Sequence, residues 1–224
     1  FPTRRSSDLQ QVTVALSGDA GDELFGGYNR YLWGPRLWQR AGCLPHALRQ
    51  AAGRGMQALS PAAWDTLLGH AGMLRPGEKI HKLGRALQQA QSLDGLYSNL
   101  TTEWRPQDTL VIGAYPTPPT PPTWDALPAQ GLQDARARMM YRDSLGYLPD
   151  DILCKVDRAA MACSLETRAP FLDHRVAELA WRLPMNFKIR GPVGKWALRQ
   201  VLYQHVPREL IERPKAGFAI PVGQ

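Results

Sequence analysis

The sequence is short of the features that mark secreted, membrane and metal-stapled chains. Only three cysteines occur in 224 residues, Cys43, Cys154 and Cys163. They are far apart and odd in number, which argues against a disulfide framework and for a reducing, cytoplasmic setting. None stands beside a histidine at metal-site spacing. No run approaches the about 18 consecutive apolar residues of a membrane span, and no basic, apolar and small-residue succession reads as a signal peptide, so no membrane partner is expected. Acidic residues are outnumbered: 20 Asp and Glu against 27 Lys and Arg give a net charge of +7. Such a balance can mark a nucleic-acid partner. Here the Lys and Arg are spread along helix-like segments, without a basic block or interleaved aromatics, so they read as solvated surface and no nucleic acid is expected. What is present, 44% hydrophobic and 21% charged residues, is an ordinary globular composition, long enough for one sizeable core or two small lobes.

The most informative stretch is 12–28, VTVALSGDAGDELFGGY. Val12, Thr13, Val14, Ala15 and Leu16 form a short, apolar, β-branched run that predicts a buried parallel strand. The turn after it, Ser17 to Glu23, carries glycines at 18 and 21, which allow the backbone to approach a ligand, and three acids, Asp19, Asp22 and Glu23. A strand end with glycines suits a phosphate cradle, and hard carboxylates beside phosphate oxygens are the usual Mg²⁺ site. The turn reads as a metal–nucleotide site. It reads equally, from composition alone, as an acidic, solvated start to a helix.

Residues 30–70 have helical periodicity, with Leu32, Trp33, Leu37 and Trp38 as core candidates. Pro35, Pro45 and Pro61 are expected to break it into short helices. Further amphipathic helices are predicted over 78–91, 93–102 and 133–146. Between them, 113–124 (GAYPTPPTPPTW) has five prolines and predicts an exposed polyproline-like connector. After a break at Pro149, a helix is expected over 152–162, with Lys155 and Arg158 on one face and Asp157 on another. Those groups, with Glu166 and Arg168, could line a pocket for an anionic substrate or simply tie helices together as ion pairs. Asp173 is placed to cap a helix over 174–183 whose Val176, Leu179 and Ala180 point one way. Met161 and the cysteines are expected in the core and His174 at the surface. Near the end, Lys215 lies between Pro214 and Pro221 on a held backbone with a free ammonium.

Three stretches, in order, resemble the asparagine synthetase family. SGDAGDELFGGYNRY resembles its S-G-[ED]-G-x-D-E-x-F-x-G-Y segment. Residues 148–173 resemble L-P-x-D-I-L-x-K-x-D-R-x-x-M-x-x-S-L-E-x-R-x-P-F-L-D. Residues 194–199 and 213–221 resemble G-K-x-x-L-R and R-x-K-x-G-F-x-x-P. One departure stands out: Ala20 occupies a position where the family more often has glycine, and its methyl is tolerable only if φ is negative.

The resemblance implies an α-rich α/β fold, a partial parallel sheet with surrounding helices, of the ATP-pyrophosphatase (adenine nucleotide alpha hydrolase-like) synthetase type. It implies ATP and Mg²⁺, with aspartate and glutamine-derived ammonia as substrates. Ser17, Gly18, Asp19, Gly21, Glu23 and Tyr28 would serve the nucleotide and Asp22 the metal. Lys215, Glu166, Asp157 and Arg158 would be catalytic, with Lys215 steadying the departing pyrophosphate.

The family's S-G-G-x-D-S loop does not occur here, so the chain is expected to be a fragment, inactive alone, whose amino-terminal glutaminase domain lies outside it; the resemblance leaves a homodimer open. Residues 1–9, FPTRRSSDL, match nothing that follows and can be encoded by a common sequencing-adapter sequence, leaving 10–224 as the partial synthetase domain.

Overall fold

The computed structural model describes residues 12–68, 76–102, 113 and 131–212. The connector predicted over 113–124, apart from Gly113, and the loop bearing Lys215 lie outside these residues, as does the stretch 1–9. The described chain is helix-rich with one small parallel sheet. Strand β1 (Val14–Leu16) leads through a turn into α1 (Gly21–Phe25), followed by α2 (Asn29–Ala41), α3 (His46–Ala58), α4 (Pro61–Leu68), α5 (Pro76–Gln89) and α6 (Leu93–Thr101). After α7 (Ala135–Leu145), a π-helical turn (Leu148–Leu153) runs into α8 (Cys154–Met161) and strand β2 (Glu166–Arg168). A 3₁₀ turn (Pro170–Leu172) precedes α9 (His174–Arg182), α10 (Met185–Lys188), α11 (Trp196–Leu202) and α12 (Arg208–Ile211).

The helix starts follow local chemistry. Ser92, Asp134 and Asp173 each accept a backbone N–H at the head of α6, α7 and α9, at 3.0, 2.7 and 2.9 Å, which satisfies donors the helix cannot. Pro45 and Pro61 do mark helix starts. Pro35, expected to break the chain, instead sits inside α2. One lost hydrogen bond is tolerated there because α2 is held by packing: Gly34 lies against Met139 of α7 and Tyr31 is fully buried. Pro149, expected as a break, does follow the end of α7 and stands in the first turn of the separate π-helical segment.

Strands β1 and β2 pair in parallel, with Val14 opposite Glu166 and Leu16 opposite Arg168. The direction agrees with expectation and the burial does not. Val14 is 39% and Leu16 76% exposed, because the alternation of a strand puts Val12, Val14 and Leu16 on one face that no described element covers. Buried side chains gather instead between helices. Ala20, Leu24 and Phe25 meet Leu148 and Ala180, while Tyr31, Tyr97, Met139, Met140 and Ile189 form a second group. Three other core expectations fail: Trp33, Met161 and Cys43 are exposed. The cysteines are free, Cys43 at the surface and the other two half-buried. His174 is at the surface as expected.

Candidate active site

The candidate site is built on the turn between β1 and α1. Ser17 N donates to Arg168 O at 2.8 Å, which clamps the end of β1 to β2, and Gly21 N donates to Gly18 O at 3.3 Å, which closes the turn. Space is open beside Gly18, whereas Gly21 lies under the Phe171 ring, where an added Cβ would come within 3.2 Å. Between them Ala20 has φ 71°. The expected negative φ is therefore wrong: the residue takes the left-handed conformation that glycine prefers, and its methyl is buried in the core.

The three acids of the turn do not share one site. Asp22 pairs with Lys195 across 2.9 Å, both side chains being partly exposed. Glu23 points inward, is 1% exposed and accepts a hydrogen bond from the Tyr28 hydroxyl at 2.7 Å. Burial pushes the Glu23 carboxyl up and, helped by Glu23 itself, pushes the Tyr28 hydroxyl up. Asp19 stays half-exposed on the turn. Among the described residues no three His, Cys, Asp or Glu side chains gather as a metal-ligand set. The charge of Asp22 is balanced by an ammonium.

Lys195 is delivered by close backbone packing. Its N–H donates to Phe25 O at 3.1 Å, it takes φ 53° just before α11, and Gly194 presses on Gly26 O. Gly27 completes the arrangement: a methyl there would overlap Asp22 Oδ1 and Lys195 Cε. Beside the pair opens a cavity of about 270 Å³ lined by Gly27, Asn29, Leu32, Gly194, Lys195 and Arg199, among others. Arg199 is fixed by bonds to Gly194 O at 3.1 Å and Glu212 Oε1 at 2.6 Å. No sequence spacing links Asp22 to Lys195, 173 positions later. The only signal was the Gly194-Lys195 pair within the third family-like block.

The second group of candidates lies next to the turn without joining it. Glu166 and Arg168 lie one strand over, opposite Val14 and Leu16, and bond to each other at 2.7 Å; they form an ion pair, but an exposed one within a single strand that ties no helices together. Asp157 and Arg158 are exposed on α8. No hydrogen bond or ion pair among the described residues joins either to the other, or to Asp22 or Lys195. Lys155 pairs with Asp151 of the π-helical turn at 2.5 Å. Asp173 caps α9 as expected. Lys215 lies outside the described residues.

Behind Glu23 and Tyr28 stands a polar cluster not anticipated from sequence. Arg30 lies 4.1 Å over the Tyr28 ring and 4.9 Å over the Tyr147 ring, and its guanidinium bonds to the buried Asp143 at 2.7 Å. Asp143 also accepts from the hydroxyls of Tyr31 and Tyr97. One carboxylate thus ties α2, α6 and α7 together behind the acidic turn.

Comparison with known proteins gives a consistent result. The family model described as asparagine synthase matches residues 4–224. A Mycobacterium tuberculosis protein, whose name assigns it provisionally to the glutamine-hydrolyzing asparagine synthetases, is 35% identical over 213 residues, 95% of this chain and 30% of its own length. Asparagine synthetase [glutamine-hydrolyzing] 1 of Bacillus subtilis is 28% identical over 95% of this chain and 31% of its own length. The human asparagine synthetase [glutamine-hydrolyzing] is 36% identical over a shorter stretch of 72 residues, 31% of this chain and 13% of its own length. The chain thus spans about 30% of the length of the curated relatives that it matches over most of its own. No solved structure matches.

Proposed function

The chain belongs to the asparagine synthase family, and on that premise we propose that it is part of an ATP-dependent ligase that converts aspartate to asparagine with ammonia released from glutamine. The fold we assign is that of the ATP-pyrophosphatase synthetase domain. A glutaminase half, which the names of the relatives imply for those proteins, would belong to the rest of the protein. The observation that carries the proposal is the Asp22–Lys195 pair at 2.9 Å, set at the mouth of a strand–turn–helix whose Gly18 leaves open space. An acid for a cation and an ammonium for phosphate oxygens stand side by side where a triphosphate is to be held.

The chemistry balances in two steps. The β-carboxylate of aspartate attacks the α-phosphate of ATP, one phosphoanhydride bond breaks, and pyrophosphate leaves an acyl-adenylate. Ammonia then adds at the acyl carbon, AMP leaves with the bond pair, and a proton is lost from the nitrogen. A carboxylate becomes a competent acyl donor only with such a leaving group, so the protein's share is alignment and charge neutralisation. Ser17, Gly18, Asp19 and Gly21 would meet the nucleotide, and Lys195 and Lys215 would offset charge on the departing phosphates. Glu166, Asp157 and Arg158 would face the substrate or the incoming amine. Glu23 and Tyr28, bonded to each other, would support the nucleotide side of the turn.

Mg²⁺ fits this donor set as an ion shared with phosphate: Asp22 offers one hard oxygen at a partly exposed position, and Mg²⁺ commonly takes one or two carboxylates alongside phosphate oxygens. Bound there, it would neutralise triphosphate charge. The test is aspartate-dependent ATP–pyrophosphate exchange by the full-length protein. Exchange should occur with aspartate, fall by at least about 100-fold in Asp22→Asn, as expected when a main charge-stabilising group is lost, and be absent with other dicarboxylates. Exchange that needs a different carboxylic acid would move the assignment to another ligase of the same chemistry.

A further inference from the structure

The crossing of α3 and α5 buries a guanidinium that has no ion-pair partner among the described residues. Helices α3 and α5 run antiparallel: His46 Nε2 is 3.0 Å from Gln88 O, and His81 Nε2 is 2.7 Å from Leu59 O at the other end. Between these points Gly53 and Gly84 touch, so that a methyl on Gly84 would come within 3.0 Å of Gly53 O. Arg49 stands one turn before Gly53 on the same face of α3, and Gln88 one turn after Gly84 on α5. The antiparallel register sets these two positions at the same level of the crossing, with the Gln88 amide packed against Gly53, where an added Cβ would come within 3.0 Å of Nε2.

Arg49 is 7% exposed, and its guanidinium lies 4.8 Å over the ring of Trp38 on α2. Its Nε and Nη1 are buried without an acceptor, and so is the Nε2 of Gln88. Buried donors with no acceptor are an unstable arrangement, since each buried polar group without a partner costs free energy that folding must recover elsewhere. A buried lysine could discharge; a guanidinium stays protonated in proteins. The Trp38 face offsets part of the cost but accepts no N–H in the guanidinium plane. A water would satisfy the donors and leave the charge.

We propose that the α3–α5 crossing is a binding site for a small inorganic anion, of chloride to phosphate size, held between Arg49 and Gln88 beneath Trp38. The anion supplies both the missing acceptor and the missing negative charge, and it fastens α2, α3 and α5 into one unit. This site is separate from the acidic turn, and its existence does not depend on the ligase reading.

The test follows thermal unfolding of the full chain while chloride, and separately phosphate, is titrated at constant ionic strength maintained with a bulky sulfonate buffer salt. A ligand bound only by the folded form raises the transition with a saturable, single-site dependence. A rise of a few degrees is expected with at least one anion, accompanied by a saturable change in tryptophan emission at the same midpoint. Arg49→Met should lose both responses. Gln88→Glu, which builds a carboxylate into the site, should unfold at a higher temperature without anion and no longer respond to it; this variant decides the matter if Arg49→Met does not fold. A wild-type transition indifferent to both anions would mean that the Gln88 amide oxygen or a water closes the site, and the proposal would be wrong. Equal responses in wild type and Arg49→Met, or a Gln88→Glu variant that still responds, would also overturn it.

Discussion

Among the described residues, three that are not glycine have a clearly left-handed backbone: Ala20, Ser164 and Lys195. Two of them form the candidate site, where such strain is commonly concentrated. For Ala20 the magnitudes nearly cancel. Replacing it with glycine would relieve about 1–2 kcal/mol of left-handed strain. The same change would remove about 0.8 kcal/mol of buried methyl and add about 0.4–1 kcal/mol of unfolded-chain freedom. Ala20→Gly should therefore shift stability in urea by less than about 1 kcal/mol, while Ala20→Val, β-branched in the same conformation and overfilling the core, should cost more than about 2 kcal/mol. A stabilisation well above 1 kcal/mol in the glycine variant would show that the methyl contributes no packing.

Lys188 gives a residue-scale prediction of another kind. It is 2% exposed, its ammonium lies 4.8 Å over the Trp181 ring, and burial lowers its pKa to about 8. The unfolded chain, with an ordinary lysine, holds the proton up to about 10.4. Between these values the unfolded state binds more protons, so stability should rise with pH across about 8 to 10, by at most about 1.4 kcal/mol per unit, and be flat with respect to this group below 8. Lys188→Met should remove that slope and be more stable than the parent at pH 7, as measured by urea unfolding at several pH values. At this scale the sequence was legible where local chemistry suffices, as at Asp173, which caps α9 as expected. It was silent on the burial of Lys188 and, although the Gly194-Lys195 block stood out, on the partner of Lys195, because burial and pairing across 173 residues leave no local pattern.

At the scale of elements, Asp143 is the joint that holds α7 to α2 and α6. It accepts from Arg30, Tyr31 and Tyr97 and is almost fully buried; burial, then the Asp143 charge, pushes the hydroxyls of Tyr31 and Tyr97 up. Asp143→Asn leaves Arg30 charged without its carboxylate and weakens both tyrosine bonds, so a loss of about 3–5 kcal/mol is expected. The double variant Arg30→Met, Asp143→Asn should lose less than Asp143→Asn alone, since no buried cation remains, and a double-mutant cycle by urea unfolding measures the coupling. Additive losses would mean that the two groups do not depend on each other. Element existence was largely legible: helices predicted over 78–91, 93–102 and 133–146 appear with ends shifted by only a few residues. The miss was a proline read by local rule: Pro35 is accommodated because tertiary packing of Tyr31 and Gly34 outweighs one lost hydrogen bond. Pro149 stands in the first turn of a new segment, where a proline loses none.

At the scale of the whole molecule, the sheet is the unfinished part of the described structure. A parallel ladder of two three-residue strands is short for independent stability, and parallel sheets occur almost only with both faces covered. Here Val12, Val14 and Leu16 lie exposed on one face, and β1 and β2 each have one edge without a partner among the described residues. The apolar, β-branched run 12–16 made the strand legible, whereas its burial is not seen, because no described element covers the face that carries Val12, Val14 and Leu16. An open edge beside an exposed apolar face is a template for association. The isolated chain is therefore expected to self-associate in the micromolar range, with sedimentation velocity showing species whose proportion grows with concentration. Leu16→Lys, charged at the most exposed apolar position, should shift that distribution toward monomer with little effect on unfolding in urea, since a side chain 76% exposed contributes little to the fold. A parent that remains monomeric at high concentration would mean that the apolar face is too small, or the edge too twisted, to recruit a second copy.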